Sequence, residues 1–212
     1  MSATRSTDRV SGAWVAMTVF ALIIALYAGA VMVLPSFGPE FVRERKHSIP
    51  WALYAHLAGG TLAMALGPWQ FNARIRTRAI QLHRWTGRGY LLSVAVGGAG
   101  ALALAPRSMH GLVTHVGFGM LALLWLAATL MAYVRIRARD VISHRRWMTR
   151  SYALTLAAVT LRIWLPLSQI AGIPFPDAYQ VVAWLCWVPN LVVAEWFILT
   201  RVRDVTSLSG AR

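Results

Sequence analysis

Two short segments of the chain are near-copies. HRWTGRGY runs from His83 to Tyr90 and HRRWMTRSY from His144 to Tyr152. Each begins with His-Arg, carries a Trp, and ends on a Tyr where a long apolar run begins. The chain has six histidines, and two more of them, His56 and His115, lie well inside other apolar runs. An ionisable side chain at that depth in an apolar stretch has a functional reason more often than not. A neutral imidazole carries one nitrogen lone pair, which suits it to an iron or other transition metal. Two imidazoles on different helices at one depth can face each other across a porphyrin, with histidine as a standard axial ligand. Four histidines sorted into two such pairs predict two haems. His56 and His115 form the outer pair, His83 and His144 the inner pair, and His47 and His110 are left over in or beside outer loops. The sole cysteine, Cys186, and the absence of Cys-x-x-Cys-His exclude covalent attachment, so the expected cofactor is haem b.

A glycine follows three of these histidines at the fourth position: Gly60, Gly87 and Gly119. Residues i and i+4 share a helix face, so a glycine one turn beyond a ligand leaves room for a flat macrocycle. Met148 stands at that position after His144 and breaks the pattern. Small residues also serve close helix packing in membranes, a plainer account of each glycine alone. Arg162 lies about eighteen residues beyond His144, roughly 27 Å along a helix, which returns it to the depth of His56 and His115. An arginine there needs a counter-ion, and a haem propionate is the expected one. Arg88 and Arg150 are candidates for the same task at the inner level, with Gln70 and Tyr90 as further donors. Glu195 sits within the last apolar run and is expected to pair with Arg201 or Arg203.

These side chains must be positioned by helices. The chain has 212 residues, is 58% hydrophobic and only 13% charged. That is too much apolar surface for a soluble domain of this length to hide. Six stretches are long and apolar enough to cross a bilayer, at about 12–34, 50–70, 84–105, 110–134, 148–168 and 178–200. Backbone groups in hydrocarbon must bond within their own segment, so each is read as a helix. The expected fold is an all-α integral membrane protein of one domain over residues 1–212. It has six transmembrane helices, the second to fifth forming a four-helix di-haem bundle. The run after Arg5 and Arg9 ends in Ala28-Gly29-Ala30, as a cleaved leader could, but its length favours an uncleaved first helix.

The net charge of +14 is explained by topology rather than by nucleic acid. Arginines crowd the segments before the first run, after the second, after the fourth and after the sixth. The outer loops hold only Arg43, Arg45, Lys46 and Arg107. Cytoplasmic termini in a multi-pass inner-membrane protein follow from that bias, with the lipid bilayer as the principal partner.

The histidine layout resembles the cytochrome b561 superfamily, six-helix di-haem proteins that pass electrons across membranes. The sequence itself is similar to a bacterial family of predicted membrane proteins, domain of unknown function 2306. GPWQF (67–71), HRWTGRGY and HRRWMTRSYALTLAAVTLR (144–162) carry that likeness, over roughly residues 50–165. The first resemblance implies electron transfer between a cytoplasmic or quinol donor and an extracytoplasmic acceptor. A quinone or a small redox molecule is then a partner, and a homodimer is an open state. The competing expectation is a non-enzymatic transport or assembly protein of unknown ligand. A lipid- or quinone-modifying enzyme at the inner face would leave His56 and His115 without a role. No nucleotide-binding glycine loop, Gly-x-Ser-x-Gly or His-Glu-x-x-His occurs.

Overall fold

A computed structural model describes residues 12–34 and 36–209, with side chains described as far as Thr200. Arg5, Arg9, Arg201, Arg203 and Arg212, which contribute to the predicted charge bias, lie outside the described side chains.

The described chain is helical and without strands. In order the α-helices are α1 (Gly12–Val33), α2 (Glu40–Ser48), α3 (Pro50–Gln70), α4 (Ala73–Arg78), α5 (Ile80–Leu104), α6 (Leu112–Arg137), α7 (Val141–Thr155), α8 (Ala157–Ile170), α9 (Phe175–Leu185) and α10 (Val188–Ser209). A 3-10 turn, Ala105–Arg107, extends α5. Among the described residues, five helical segments are long and apolar enough to cross a membrane: Gly12–Val33, Ile80–Arg107, Leu112–Arg137, Val141–Ile170 and Phe175–Thr200. The lipid bilayer is therefore the solvent for most of the surface. Leu26, Leu92, Leu112 and Ile170 are all more than 65% exposed, as lipid-facing residues must be.

The expected second span is the 21-residue helix α3. It is not among those five, with Tyr54, His56, Thr61 and Gln70 set among its leucines and alanines. It lies between α1 and α5, where helix neighbours replace much of the lipid. Trp14 of α1 ties down its far end through a 2.9 Å bond to the Pro68 carbonyl.

Two spans are broken rather than continuous. Leu156 separates α7 from α8, and Cys186–Trp187 separates α9 from α10. A helix break inside a bilayer frees carbonyls that need new donors. Asn190 supplies them: its amide donates to Ala153 O at 3.2 Å and Cys186 O at 3.0 Å, and to Thr160 Oγ1 at 3.2 Å. Thr160 in turn donates to Cys186 O. A few side chains thus hold both breaks against each other. The chain after α8 enters α9 at Phe175, with prolines at the positions where a missing N–H costs nothing. Asp140 caps α7 by accepting from the Ser143 amide at 3.0 Å. Bonds from Ser143 hold its carboxyl below the usual carboxylate range. The cap therefore persists at any pH above that range and is lost only as pH falls through the lowered value.

The tightest packing is between α3 and α5. A Cβ on Gly59 would lie 2.4 Å from both Gly97 N and Ser93 O. One on Gly100 would lie 2.6 Å from Ala52 O and His56 N. Only glycine allows the two backbones this close, as in other small-residue membrane interfaces.

Candidate functional site

The close approach of α3 and α5 sets the first histidine. His56 Nδ1 lies 3.1 Å from Gly97 O. A carbonyl only accepts, so the ring proton is on Nδ1 and Nε2 keeps its lone pair. That is the tautomer of a metal-ligating histidine steadied by a backbone carbonyl. His144 is held the same way, with Nδ1 2.8 Å from Ala132 O on α6. His115 is held by the other nitrogen: Nε2 donates to Ser108 O at 2.9 Å, leaving Nδ1 with the lone pair. His83 differs from all three. Its Nδ1 is buried without a hydrogen-bond partner.

His56 opens onto a cavity of about 600 Å³. That is within the usual range of small-molecule sites, roughly 300–1,000 Å³. Most of its lining is apolar, with Met64, Phe118, Leu121, Leu161 and Leu165 among the residues that form it. Gly60 and Arg162 line it as well. A Cβ on Gly60 would meet nothing within 4 Å, so this glycine does face open space. His115 and Gly119 do not line this cavity, but Ser108, whose carbonyl holds His115, does. A Cβ on Gly119 would meet Ala105 Cβ at 3.8 Å, an ordinary contact. Gly87 has a packing role instead, with Gln70 Oε1 3.1 Å from where its Cβ would be.

At the other level the two near-copies converge. The Tyr90 and Tyr152 rings that close the two motifs are 6.3 Å apart. Arg88 is exposed and stacks on Trp85 at 4.8 Å. Arg150 makes a two-pronged ion pair with Glu195, at 2.5 and 2.8 Å, and lies 4.6 Å from the Trp147 ring centroid. Glu195 was expected to pair with Arg201 or Arg203. The side chains of Arg201 and Arg203 lie outside the described residues; among those described its partner is Arg150 of α7, which sequence distance hid and helix packing brings alongside. The leftover histidines are apart from both groups. His47 is exposed on α2, and the His110 ring packs edge-on to Phe175 and Tyr179 with Nε2 buried and unpartnered.

Between the levels runs a buried hydroxyl cluster that the sequence reading did not single out, apart from Tyr90. Tyr90 Oη is 2.7 Å from Ser151 Oγ and 2.9 Å from Thr155 Oγ1. Thr129 Oγ1 is 2.7 Å from Ser151 Oγ, and Trp125 Nε1 donates to Thr155 Oγ1 at 2.9 Å. The cluster joins α5, α6 and α7, and its outer members Trp125 and Thr155 line the cavity. Replacing Tyr90 by Phe leaves these partners short of a hydroxyl. Interhelical bonds in membranes average about 0.6 kcal/mol, and buried partners left unsatisfied cost ~1–3 kcal/mol. Tyr90→Phe should therefore lower stability by about 1 kcal/mol, measurable as a lower melting temperature in detergent. An unchanged melting curve would mean the cluster does not tie the helices.

The predicted membrane protein family DUF2306 matches residues 53–198. The chain belongs to that family. The DUF2306 match begins in α3 and ends in α10, so it includes all four paired histidines and Arg162, and leaves α1 and α2 outside. No curated protein and no solved structure matches this DUF2306 member. With several apolar helices and this family, it is a multi-pass membrane protein. Among its described residues, no three His, Cys, Asp or Glu side chains cluster as ligands for a bare metal ion.

Proposed function

We propose that this DUF2306 protein is a b-type membrane cytochrome. It would bind two haems and carry electrons between a cytoplasmic or quinol donor and an extracytoplasmic acceptor. In this reading α3 is a sixth span, the protein sits in a bacterial inner membrane, and both termini are cytoplasmic. The observation that carries the reading is His56. It is fixed through Nδ1, with Nε2 free, on the wall of a largely apolar 600 Å³ cavity beside Arg162. His144, held through Nδ1 by Ala132, and the unpartnered buried Nδ1 of His83 support the second pair.

The residues fit the group unequally. At the outer level His56 and Arg162 are on the wall, Gly60 leaves the space, and the lining is mostly apolar. His115 stands off the cavity wall with Nδ1 carrying the lone pair, so its use as a ligand there requires that nitrogen to be brought to the cavity. At the inner level His83 and His144 offer the nitrogens, while Arg150 is already committed to Glu195. Haem bound here supplies one-electron chemistry at potentials set by its axial ligands and nearby charge. The chain's own contribution is to orient the imidazoles through backbone carbonyls, to exclude water with leucines and aromatics, and to offer Arg162 to a carboxylate.

The test is an optical spectrum of the detergent-purified protein, oxidised and then dithionite-reduced, with haem counted per chain. A sharp reduced-state band with about two haems per chain is expected. One haem would retain one histidine pair and reject the other. Colourless protein, made with ample haem supply, would end this reading and favour a transport or assembly role.

A further inference from the structure

Two cations face the cavity, and among the described residues neither makes an ion pair. Arg45 reaches the wall from α2 and Arg162 from α8. Arg45 donates Nη1 to Phe41 O at 2.8 Å and Nη2 to Arg107 O. Its guanidinium lies 5.7 Å from the Phe41 ring centroid. Arg162 donates Nη1 to Ala158 O at 2.9 Å and lies 4.8 Å from the Tyr27 ring centroid. Among the described residues no carboxylate lines the cavity. On the same wall Thr61 Oγ1 is buried without a hydrogen-bond partner.

Carbonyls and ring faces steady a guanidinium, but they do not neutralise it. A charge taken out of water is costly until an opposite charge joins it. Arg162 carries that cost within the span, and Arg45, half-exposed, stands at the edge; two cations on a mostly apolar wall describe the complement of an amphiphile. The fork of an arginine matches a carboxylate in particular, through two parallel hydrogen bonds.

We infer that the cavity binds a ligand with an apolar body and a carboxylate end, held between Arg45 and Arg162, with α2 as its outer cover. This deepens the haem reading and rests on it for one of two sources of the carboxylate, the haem propionates. The other source is the head of a free fatty acid. Arg45 lies outside the family match at 53–198, so half of the grip comes from a part of the chain that the match does not include.

The experiment uses the full chain in detergent, stripped of bound lipid, with Trp125 on the cavity wall as the fluorescent reporter. Two pairs of probes are titrated: haemin against its dimethyl ester, and oleic acid against oleyl alcohol. Each pair shares a body and differs in the acid. The acid of one pair is expected to bind at least about tenfold tighter than its neutral partner, the scale of a charge-assisted bond or more. R45Q and R162Q should each remove most of that preference, and R45K should restore part of it. Preference for haemin over its ester, with none for oleic acid, assigns the propionates. Preference for oleic acid in a protein that binds no haem keeps the grip and ends the haem reading. Equal binding within both pairs on the unaltered protein overturns the grip, whatever the protein's colour, and needs no variant to fold.

Discussion

Gly59→Val should lower stability by about 3 kcal/mol or more. The Cβ would be placed 2.4 Å from Gly97 N and Ser93 O, which are backbone atoms of a packed helix and cannot turn aside. Overpacking a core costs ~1–3 kcal/mol when side chains can adjust. Here α3 and α5 must separate instead, so we expect about 3 kcal/mol or more. That consumes much of the ~5–15 kcal/mol that a typical domain has. The separation would also break the His56–Gly97 bond at 3.1 Å, and with it the orientation of the cavity histidine. Gly60→Ala is the control one residue away. Its Cβ would enter open space, and alanine is favoured over glycine in a helix by ~0.5–1 kcal/mol. Melting curves and size-exclusion profiles in detergent read both. A Gly59→Val protein that elutes and melts like the original would show that the two helices are not packed this closely.

The contrast between these two glycines marks where sequence reasoning reached its limit. Spacing from a histidine singled out Gly60, Gly87 and Gly119 as room for a macrocycle, and only Gly60 faces the cavity. Gly59, Gly97 and Gly100, which set the helix contact, carry no mark of their own in the sequence. A helix position says which face a residue is on, but not which neighbour that face meets. Most apolar runs fall within a few residues of a long helix, because the bilayer fixes both length and composition, but the run placed at 148 belongs to a helix that begins at Val141, where polar residues hid its first turns. They did not reveal the breaks at Leu156 and at Cys186–Trp187, which depend on Asn190 and Thr160 reaching across helices. Nor did they reveal α2, a short polar helix without an apolar period, yet it brings Arg45 to the cavity.

The site was legible in the same uneven way. Counting residues from His144 placed Arg162 at the depth of His56, and both line one cavity although the span is broken at Leu156. Counting works there because rise per residue is nearly constant. The partner of Glu195 could not be counted. Arg150 is 45 positions away and meets it only because α7 and α10 pack together. The two near-copied motifs were visible as text, but their convergence at Tyr90 and Tyr152 is a fact of packing.

The second large effect is on cofactor content. If His56 is an axial ligand, His56→Ala should remove about half of the haem while the protein still inserts. Alanine changes two things at once, the ligand and the bond to Gly97 O. His56→Asn separates them. The Asn amide can still donate to a carbonyl, but it has no imidazole lone pair for iron. Loss of haem in both variants, with a near-normal melting curve for His56→Asn, is the ligand's signature. Haem retained in full by His56→Asn would assign His56 to helix packing alone. Pairs of substitutions then sort the four histidines. His56→Ala with His115→Ala should lose no more haem than either alone, because both changes remove the same group. His56→Ala with His83→Ala should lose nearly all of it. This non-additivity comes from two residues acting as one unit, and haem counted per chain reads it directly. If instead the double variant of His56 and His115 loses twice what either loses, the outer pair does not share one iron. His115 would then keep the role it already has at Ser108.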